Sequence, residues 1–478
     1  MLATIAGPIS SSLGSFSYMS WIAAMFPIGC SISQPLSGHL TDIFGRRKGL
    51  IVCYGLFATG TLACGLSGHT LWIFLTGRAV QGIGGGALAS ITSFIETDLV
   101  PMRKRPLIEG IGNVAFGATL AFGGIYGGSI NDAIGWRWAF LIQAPVIVLN
   151  GIWVILMVKI PRDKESSTRC SVDYIGCTLL VLIITFFQYG MNAGSGESWK
   201  TPLVIASLAI AGLGLVIFLF WDSVKAKNPV IPLRLLLERT IASSQLSFFF
   251  TSAAAINIMF YVPIYLQLLG YSARDSGLRF IPYAVTFGFG SFAAGALVQI
   301  SGRYYWVNIV VQAASVTGVV LLCTLTQYTP AWAPFIYLSL LGLGFGGAYV
   351  TRLMGILTSV DEEKQAVIQA SSWTVSSTGY TVGIAAGSAI FQKLSLNHLQ
   401  VILSGQPELL ANIRNSFEAL SDLSGLEKEV VIAVYLKAVK GVFFLAVGEV
   451  AFAAVVSLFM KNNKLSGDSD EKVSEEVS

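Results

Sequence analysis

The chain has 478 residues, of which 54% are hydrophobic and only 12% are charged, and its formal net charge is +4. A soluble globular domain carries about 25% charged residues, so the composition excludes one, and so small a charge gives no reason to expect a nucleic-acid partner. The apolar residues form runs of about 20, enough to span about 30 Å of hydrocarbon as helices, which predicts an all-helical protein that crosses a membrane many times.

In chain order, the first apolar run, residues 1–9, is too short to cross a membrane. Half a span leaves backbone groups without hydrogen-bond partners in lipid. Either the chain starts with half a helix or an upstream segment completes this helix, and we favour the second. With this short run the chain has about fourteen segments of membrane-helix type. The full-length runs lie near residues 18–36, 50–66, 71–90, 108–130, 136–158, 174–191, 202–221, 241–268, 277–300, 306–325, 335–357, 367–391 and 441–460.

A short basic link joins the first two full-length runs. It contains Gly38, Asp42, Gly45, Arg46 and Arg47, followed by a lysine. The glycines permit a tight turn, and the carboxylate is placed to pair with the cations or with a helix N-terminus. We therefore expect a gating loop, although the charges alone also fit an ordinary topogenic loop with an incidental Asp.

Cations are concentrated in alternate loops, which fixes the predicted orientation. Short basic loops stay in the cytosol, so these loops and the C-terminus are predicted to be cytosolic. The loops between them carry almost no cations. The basic positions are Arg46, Arg47, Lys48, Arg103, Lys104, Arg105, Lys159, Arg162, Lys164, Arg169, Lys225, Lys227, Arg234, Arg239, Arg303, Lys461 and Lys464.

An internal repeat predicts two similar halves. Residues 295–303 repeat the link as G-x-L-x-x-x-x-G-R, with Gln299 in place of Asp, and duplicated halves are typical of transporter folds. We expect an N-terminal bundle over 1–158, two linker helices with loops over 159–240 and a C-terminal bundle over 241–460. A long extramembrane loop is expected at 392–440, with amphipathic helices at 407–414 and 426–440, and a disordered tail at 461–478.

Several polar side chains lie within the apolar runs. An Arg at the centre of a membrane helix costs about 2.5–3.5 kcal/mol on insertion scales, so Arg78, with Gln81 nearby, and Arg352 are candidates for a proton or substrate pathway. A snorkelling or structural Arg is the alternative. Glu96 and Glu109 fall near predicted helix ends, where solvation is the expectation. Other candidates for the pathway are Gln34, Asn113, Asn257 and Tyr261.

A ridge of small residues occupies the run at 108–130. It comprises Gly117, Gly123, Gly124, Gly127 and Gly128. Glycines four apart share a helix face and permit close approach of another helix or a bend. A packing ridge without any transport role is the alternative for these glycines.

Three motifs together resemble those of the major facilitator superfamily: G-x-L-x-D-x-x-G-R-R-K at 38–48, R-x-x-Q-G-x-G from Arg78, and the glycine ridge, which resembles an antiport motif. W-R-W at 136–138 is similar to a stretch of its fourteen-helix drug:proton antiporters. The whole chain resembles fungal members, which include multidrug exporters and vacuolar basic amino-acid transporters. Departures are Gly124 in place of a proline, Ser376 in place of an Arg, and the absence of a first-helix carboxylate.

The resemblance implies two six-helix bundles with two extra central helices, and a role in proton transfer for Arg78. We therefore expect a monomeric secondary transporter, not an enzyme, that exchanges protons for a small solute and needs no cofactor or metal. The solute is a drug-like amphiphile leaving the cell or a basic amino acid entering the vacuole, so the membrane is the plasma or the vacuolar one. A transport-inactive sensor with this fold is the alternative.

Asp42→Asn tests the gating loop. The loop is expected to latch the outward-open state by pairing Asp42 with Arg46 and Arg47, so the neutral variant is expected to lower the transport rate more than the protein abundance. Flux normalised to the amount of protein measures this effect. Normal flux at normal abundance would show that the carboxylate is incidental.

Overall fold

A computed structural model describes residues 1–13, 19–158, 173–196, 199–224, 233–326, 329–330, 332–402 and 426–462. The described elements are helices, and each predicted full-length apolar run is helical, although the runs at 136–158 and 277–300 each span two helices. In the described part of the chain, ten helices are long and apolar enough to cross a membrane. The expected all-helical, multi-pass membrane fold is confirmed.

The helices are numbered in chain order, and their bounds are as follows. They are α1 Leu2–Ser12, α2 Met19–Phe44, α3 Arg46–Gly65, α4 Leu71–Leu99, α5 Arg105–Ile134, α6 Trp136–Leu141, α7 Gln143–Met157, α8 Tyr174–Gly196, α9 Pro202–Val224, α10 Leu233–Leu236, α11 Arg239–Leu268, α12 Ala273–Arg279, α13 Ile281–Ser301, α14 Tyr305–Cys323, α15 Ala333–Leu357, α16 Glu362–Ile402 and α17 Leu426–Ser457.

Two boundaries differ from the sequence patterns. Helix α16 continues to Ile402, and α17 begins at Leu426, so both reach into the segment 392–440 that was expected to be a loop. The separate amphipathic helix expected over 426–440 is instead the first part of α17, because its Val431 and Val439 are buried in the same core as the rest of that helix. The helix expected at 407–414 and most of the tail lie outside the described residues.

A third difference is a break within the run at 136–158. Helix α6 ends at Leu141 and α7 begins at Gln143. Proline has no N–H to donate to the carbonyl four residues before it, so Pro145 leaves the carbonyl of Leu141 without its helical partner. The two short helices together still form one membrane-length segment, residues 136–157.

The helices pack as an N-terminal half, α1–α7, and a C-terminal half, α11–α17. The two halves meet mainly where α5 packs against α13 and where α2 packs against α16. Helices α8 and α9 pair with each other, and α8 also contacts α2 and α16. These contacts agree with two halves separated by a pair of linker helices, while the exact division into bundles stays a prediction.

The repeated motif produces the same backbone feature in each half. Gly45 precedes α3 with φ 89°, and Gly302 follows α13 with φ 65°. Side chains rarely adopt this left-handed region, so both second glycines of the repeat are required by the turn. The link at 38–48 and its repeat therefore end equivalent helices, and we call this end of the molecule the basic face.

The glycine ridge of α5 divides between two neighbours. A Cβ at Gly117 would overlap the Ala284 carbonyl on α13, while a Cβ at Gly124 would make an ordinary contact with Gly277 on α12. A Cβ at Gly123 or Gly127 would instead lie within 3.3 Å of atoms of Met1 beside α1, and Gly128 is buried. The ridge thus permits close packing on both sides of α5, including the contact between the halves.

Gly117→Ala is expected to destabilise this contact. Its Cβ would overlap the carbonyl oxygen of Ala284, and over-packing of a core costs about 1–3 kcal/mol. The matched control is Gly112→Ala in the same helix, where nothing lies within 4 Å of a Cβ and where alanine is favoured over glycine by up to about 1 kcal/mol. Thermal unfolding of the purified variants should give a lower melting temperature for G117A alone. Equal melting temperatures would contradict the close contact.

Candidate functional site

Helix α16 presents a polar stripe to the N-terminal half. Residues four apart share one helix face, and Gln365, Gln369, Trp373, Ser377 and Thr381 follow one another at this spacing. All but Trp373 are strongly buried polar side chains. Because a buried polar group needs a hydrogen-bond partner, the polar side chains of this face require matching polar groups on the opposite half.

Three hydrogen bonds join the stripe to three helices of the other half. Arg105 on α5 donates to Oε1 of Gln365 over 2.5 Å. Nε2 of Gln369 donates to the Ser93 hydroxyl on α4 over 2.6 Å. Further from the basic face, the Ser377 hydroxyl donates to Gln34 on α2 over 2.9 Å.

The linker helices join the same face of α16. The Thr381 hydroxyl donates to Gln188 on α8 over 3.4 Å. The stripe therefore fastens the two halves and α8 together from the basic face inwards, and Gln34 is the one predicted pathway residue that bridges the halves directly.

A narrow cavity lies beside the stripe in the C-terminal half. The rings of Phe248 and Trp373 lie against Tyr349, with centroid distances of 5.6 and 5.9 Å. The lining thus combines aromatic rings with uncharged hydrogen-bonding groups. The lining residues are Phe248, Tyr349, Leu353, Gln369, Ser372, Trp373 and Ser376.

Arg352, the second predicted buried charge, lies next to this cavity. It is only 2% exposed, and its guanidinium lies 4.6 Å from the centre of the Phe248 ring. It donates to the Ser247 carbonyl over 2.9 Å and to the Thr251 hydroxyl over 2.5 Å, both on α11, and to the carbonyl of Ala348 in its own helix. Neutral oxygens hold this cation, which ties α15 to α11.

Arg78 and Gln81 form a separate group in the N-terminal half. Arg78 donates to Oε1 of Gln81 over 2.6 Å, and Gln81 donates to the Thr61 hydroxyl on α3 over 2.9 Å. The guanidinium lies 4.8 Å from the centre of the Phe26 ring on α2. Gly82 permits this approach, since a Cβ there would overlap the Phe26 carbonyl. Arg78 is buried in the bundle, and its place on a proton or substrate pathway stays a prediction.

Asn257 and Tyr261 belong to a third group, between α11, α16 and α17. Asn257 donates to the carboxylate of Glu449 on α17 over 3.3 Å, and the ring of Tyr261 lies 5.5 Å from that of Phe391. Asn113 on α5 lies apart from these side chains, and its amide nitrogen is buried without a partner among the described residues. The predicted pathway residues therefore fall into several groups rather than one site.

In the described part of the gating loop, both arginines contact neighbouring groups. Arg46 donates to the Thr41 hydroxyl over 2.7 Å and lies over the Phe94 ring, and Arg47 donates to the carbonyl of Ile155. Gly38 is buried. The side chain of Asp42 lies outside the described residues, so its pairing with the arginines stays a prediction.

Sequence reasoning missed two parts of the structure. Near the basic face, Arg105 is buried, and Glu96 and Glu109, expected to be solvated, lie within electrostatic range of each other and of Tyr349. The second miss is Glu449, the acidic residue in the last apolar run. Its presence in such a run was a signal available from the sequence alone.

Gln369→Leu is expected to loosen the closed basic face. It removes the bond to Ser93, and one hydrogen bond contributes about 0.5–1.5 kcal/mol, which shifts the closed-to-open ratio by roughly fivefold. Spin labels at the exposed positions Thr92 and Lys364 would report a larger share of long distances. Gln392→Leu on the same helix is the control, since its bond stays within α16. Identical distance distributions for Q369L and wild type would contradict a role of the stripe in closure.

Comparisons with known proteins agree with this architecture. A family model described as Major Facilitator Superfamily matches residues 1–387. The chain is 31% identical over 467 residues to the vacuolar membrane amino acid uptake transporter fnx2 of Schizosaccharomyces pombe, covering 96% of this chain and 80% of the relative. It is 30% identical over 464 residues to the multidrug resistance protein fnx1 of the same organism, covering 95% and 87%.

Solved structures show the same fold at low sequence identity. The proton:xylose symporter XylE bound to 6-bromo-6-deoxy-D-glucose aligns with a TM-score of 0.60 and 15% identity, covering 98% of this chain and 94% of that one. The extent of the family match and the similarity to fnx2 identify the family. The chain belongs to the major facilitator superfamily and is a membrane transporter rather than an enzyme.

Proposed function

We propose that this transporter moves a small solute out of the cytosol in exchange for protons, by alternating access between its two halves. The polar stripe of α16 supports this proposal most directly. It joins α2, α4 and α5 to the C-terminal half through hydrogen bonds, which contribute about 0.5–1.5 kcal/mol for the two neutral pairs and about 1.5–3 kcal/mol for the Arg105 guanidinium. Bonds of this strength hold one state closed and still exchange for others when the halves rock.

The cavity beside the stripe has room for about one water molecule in this arrangement, and we propose that its lining residues form a solute site in the C-terminal half once the two halves separate. Its rings, Phe248, Tyr349 and Trp373, provide an apolar wall, and Gln369 and Ser376 provide hydrogen bonds. Solute sites of this kind are mostly apolar with a few placed polar groups. Because Gln369 also bonds to the N-terminal half, a solute that competes for its amide would act directly on closure.

The relatives define the two solute classes to be tested. One is named as a vacuolar amino acid uptake transporter and another as a multidrug resistance protein. We propose that this chain shares one of these tasks, a basic amino acid delivered to the vacuole or an amphiphilic drug exported from the cell. In both cases the basic face lies in the cytosol, and the transporter acts as a monomer.

Transport by purified protein in proteoliposomes tests the function. With an acidic lumen and the protein oriented in both directions, labelled lysine and the cationic dye ethidium are offered outside in separate experiments. Accumulation of either one, abolished by a protonophore, is expected. Protein-free liposomes are the control. Lysine accumulation alone indicates the vacuolar task, and ethidium accumulation alone indicates drug export.

Absence of flux for both probes and for a wider panel would contradict the proposal. A transport-inactive sensor would then be the better description. Accumulation that persists without a pH gradient would retain the transporter but exclude proton exchange as its driving force.

A further inference from the structure

The last helix carries a carboxyl group on its buried face. Glu449 is only 8% exposed, and it lies on the same face of α17 as Ala446 and Ala453, which are fully buried. The far side of the helix bears the exposed side chains of Phe444 and Val455, as expected for contact with lipid, whereas the ring of Phe452 packs against that of Phe250 on α11. Glu449 is therefore an ionisable group inside the protein, within a helix whose outer surface is apolar.

One hydrogen bond reaches this carboxyl group. Asn257 on α11 is fully buried and donates its Nδ2–H to Oε2 of Glu449 over 3.3 Å. Within the part of the chain that the structure describes, no Lys, Arg or His forms an ion pair with Glu449. The Oδ1 of Asn257 is also buried and accepts no hydrogen bond there. An ionised carboxylate in a membrane interior carries a large free-energy cost unless a cation neutralises it. The pair of Glu449 and Asn257 therefore requires a cation.

Close packing limits the size of this cation. Helix α16 approaches so closely that a Cβ at Gly387 would overlap the amide oxygen of Asn257 and lie 3.3 Å from the Tyr261 ring. The neighbouring Tyr261, Phe391 and Val450 belong to one buried apolar cluster. A proton is the cation that needs no further space.

We propose that Glu449 and Asn257 form a proton-binding site that couples the proton gradient to solute movement; this inference rests on the proposed function. On loading, a hydronium ion transfers its proton to a carboxylate oxygen of Glu449, an O–H bond forms and water leaves. On unloading at the other side of the membrane, that O–H bond breaks and water accepts the proton. No other reactant takes part.

Asn257 suits both states of the carboxyl group because an amide both donates and accepts hydrogen bonds. When Glu449 is ionised, Nδ2–H donates to it, as in the structure. When Glu449 is protonated, its new O–H donates to Oδ1 of Asn257, which has no other donor among the described residues. The exchange acts on α11, which also carries Ser247 and Thr251, the partners of Arg352.

Other titratable groups near this pair do not compensate its charge. Helices α11, α14 and α16 pack against α17, and none of the described side chains below is joined to Glu449 by a hydrogen bond or an ion pair. Tyr261, one helical turn from Asn257, forms a side-chain hydrogen bond with Ser388. The groups are Arg239, Tyr261 and Tyr265 on α11, Tyr305 and Cys323 on α14, Lys364, Tyr380 and Lys393 on α16, and Lys428, Glu429, Tyr435, Lys437 and Lys440 on α17 itself.

Glu449→Gln is the decisive variant, because glutamine keeps the shape and the hydrogen bond to Asn257 but cannot bind an exchangeable proton. With whichever probe the wild type transports, lysine or ethidium, E449Q is expected to lose accumulation driven by a pH gradient and to retain solute exchange across the membrane without a gradient. E449D, which keeps the acid, should recover part of the accumulation. The matched control is Glu429→Gln, an exposed carboxylate on the same helix, which should behave as wild type. Gradient-driven accumulation by E449Q at the wild-type level would overturn the proposal.

A spectroscopic measurement separates failure of this site from failure of the proposed function, because it needs no solute. Infrared difference spectra of the purified full chain are recorded between about pH 6 and pH 10, above the range in which exposed carboxyl groups titrate, and the spectrum of each variant is subtracted from that of the wild type. The wild type minus E449Q should contain one carbonyl band of a protonated carboxyl group, the wild type minus E429Q should contain none, and E449D should show the band at a shifted position. An empty wild-type minus E449Q spectrum would contradict proton binding at Glu449 whether or not the protein transports lysine or ethidium.

Discussion

The structure depends on one constraint, which is that polar groups inside a membrane protein obtain their hydrogen bonds from other helices. The polar stripe of α16 meets this constraint at the boundary between the halves, where Gln365, Gln369 and Ser377 bond to three different helices. Lipid cannot replace these partners. Closure of the basic face is therefore specific, and the proposed transport cycle requires these bonds to break and re-form as the halves move.

Apolar packing serves a different purpose along the same boundary. At Gly117 of α5 the backbones of the two halves approach so closely that a methyl group would not fit. Close packing of small residues is a main source of helix association in membranes, where the hydrophobic effect contributes little. The α5–α13 contact thus holds the two halves together through close packing, whereas the polar stripe of α16 joins them through hydrogen bonds near the basic face.

Much of the fold was predictable because the signals are local. An apolar run of membrane length identifies a helix without knowledge of its neighbours, and an Arg such as Arg78 or Arg352 inside such a run implies burial. The partners were not predictable, because Arg105 and Gln365 are 260 residues apart in the chain, and hydropathy does not show which faces meet. The start of α17 was misjudged for a related reason, since Lys437 and Lys440 gave an amphipathic pattern to a segment whose other face is buried. Glu449 was overlooked, although an acidic residue inside an apolar run is a signal that the sequence itself carries.

The buried ionisable side chains differ in what they can contribute to a transport cycle. Apart from tyrosines and cysteines, the buried ones among the described residues are Arg78, Arg105, Arg352 and Glu449. A guanidinium keeps its proton in proteins and only donates hydrogen bonds, so the three arginines act as fixed charges whose partners can change. A carboxyl group gains and loses a proton, and with the proton it gains and loses a hydrogen-bond donor. A cycle that exchanges protons needs at least one group of the second kind connected to those of the first, and α11 provides this connection, since it holds both the partner of Glu449 and the partners of Arg352.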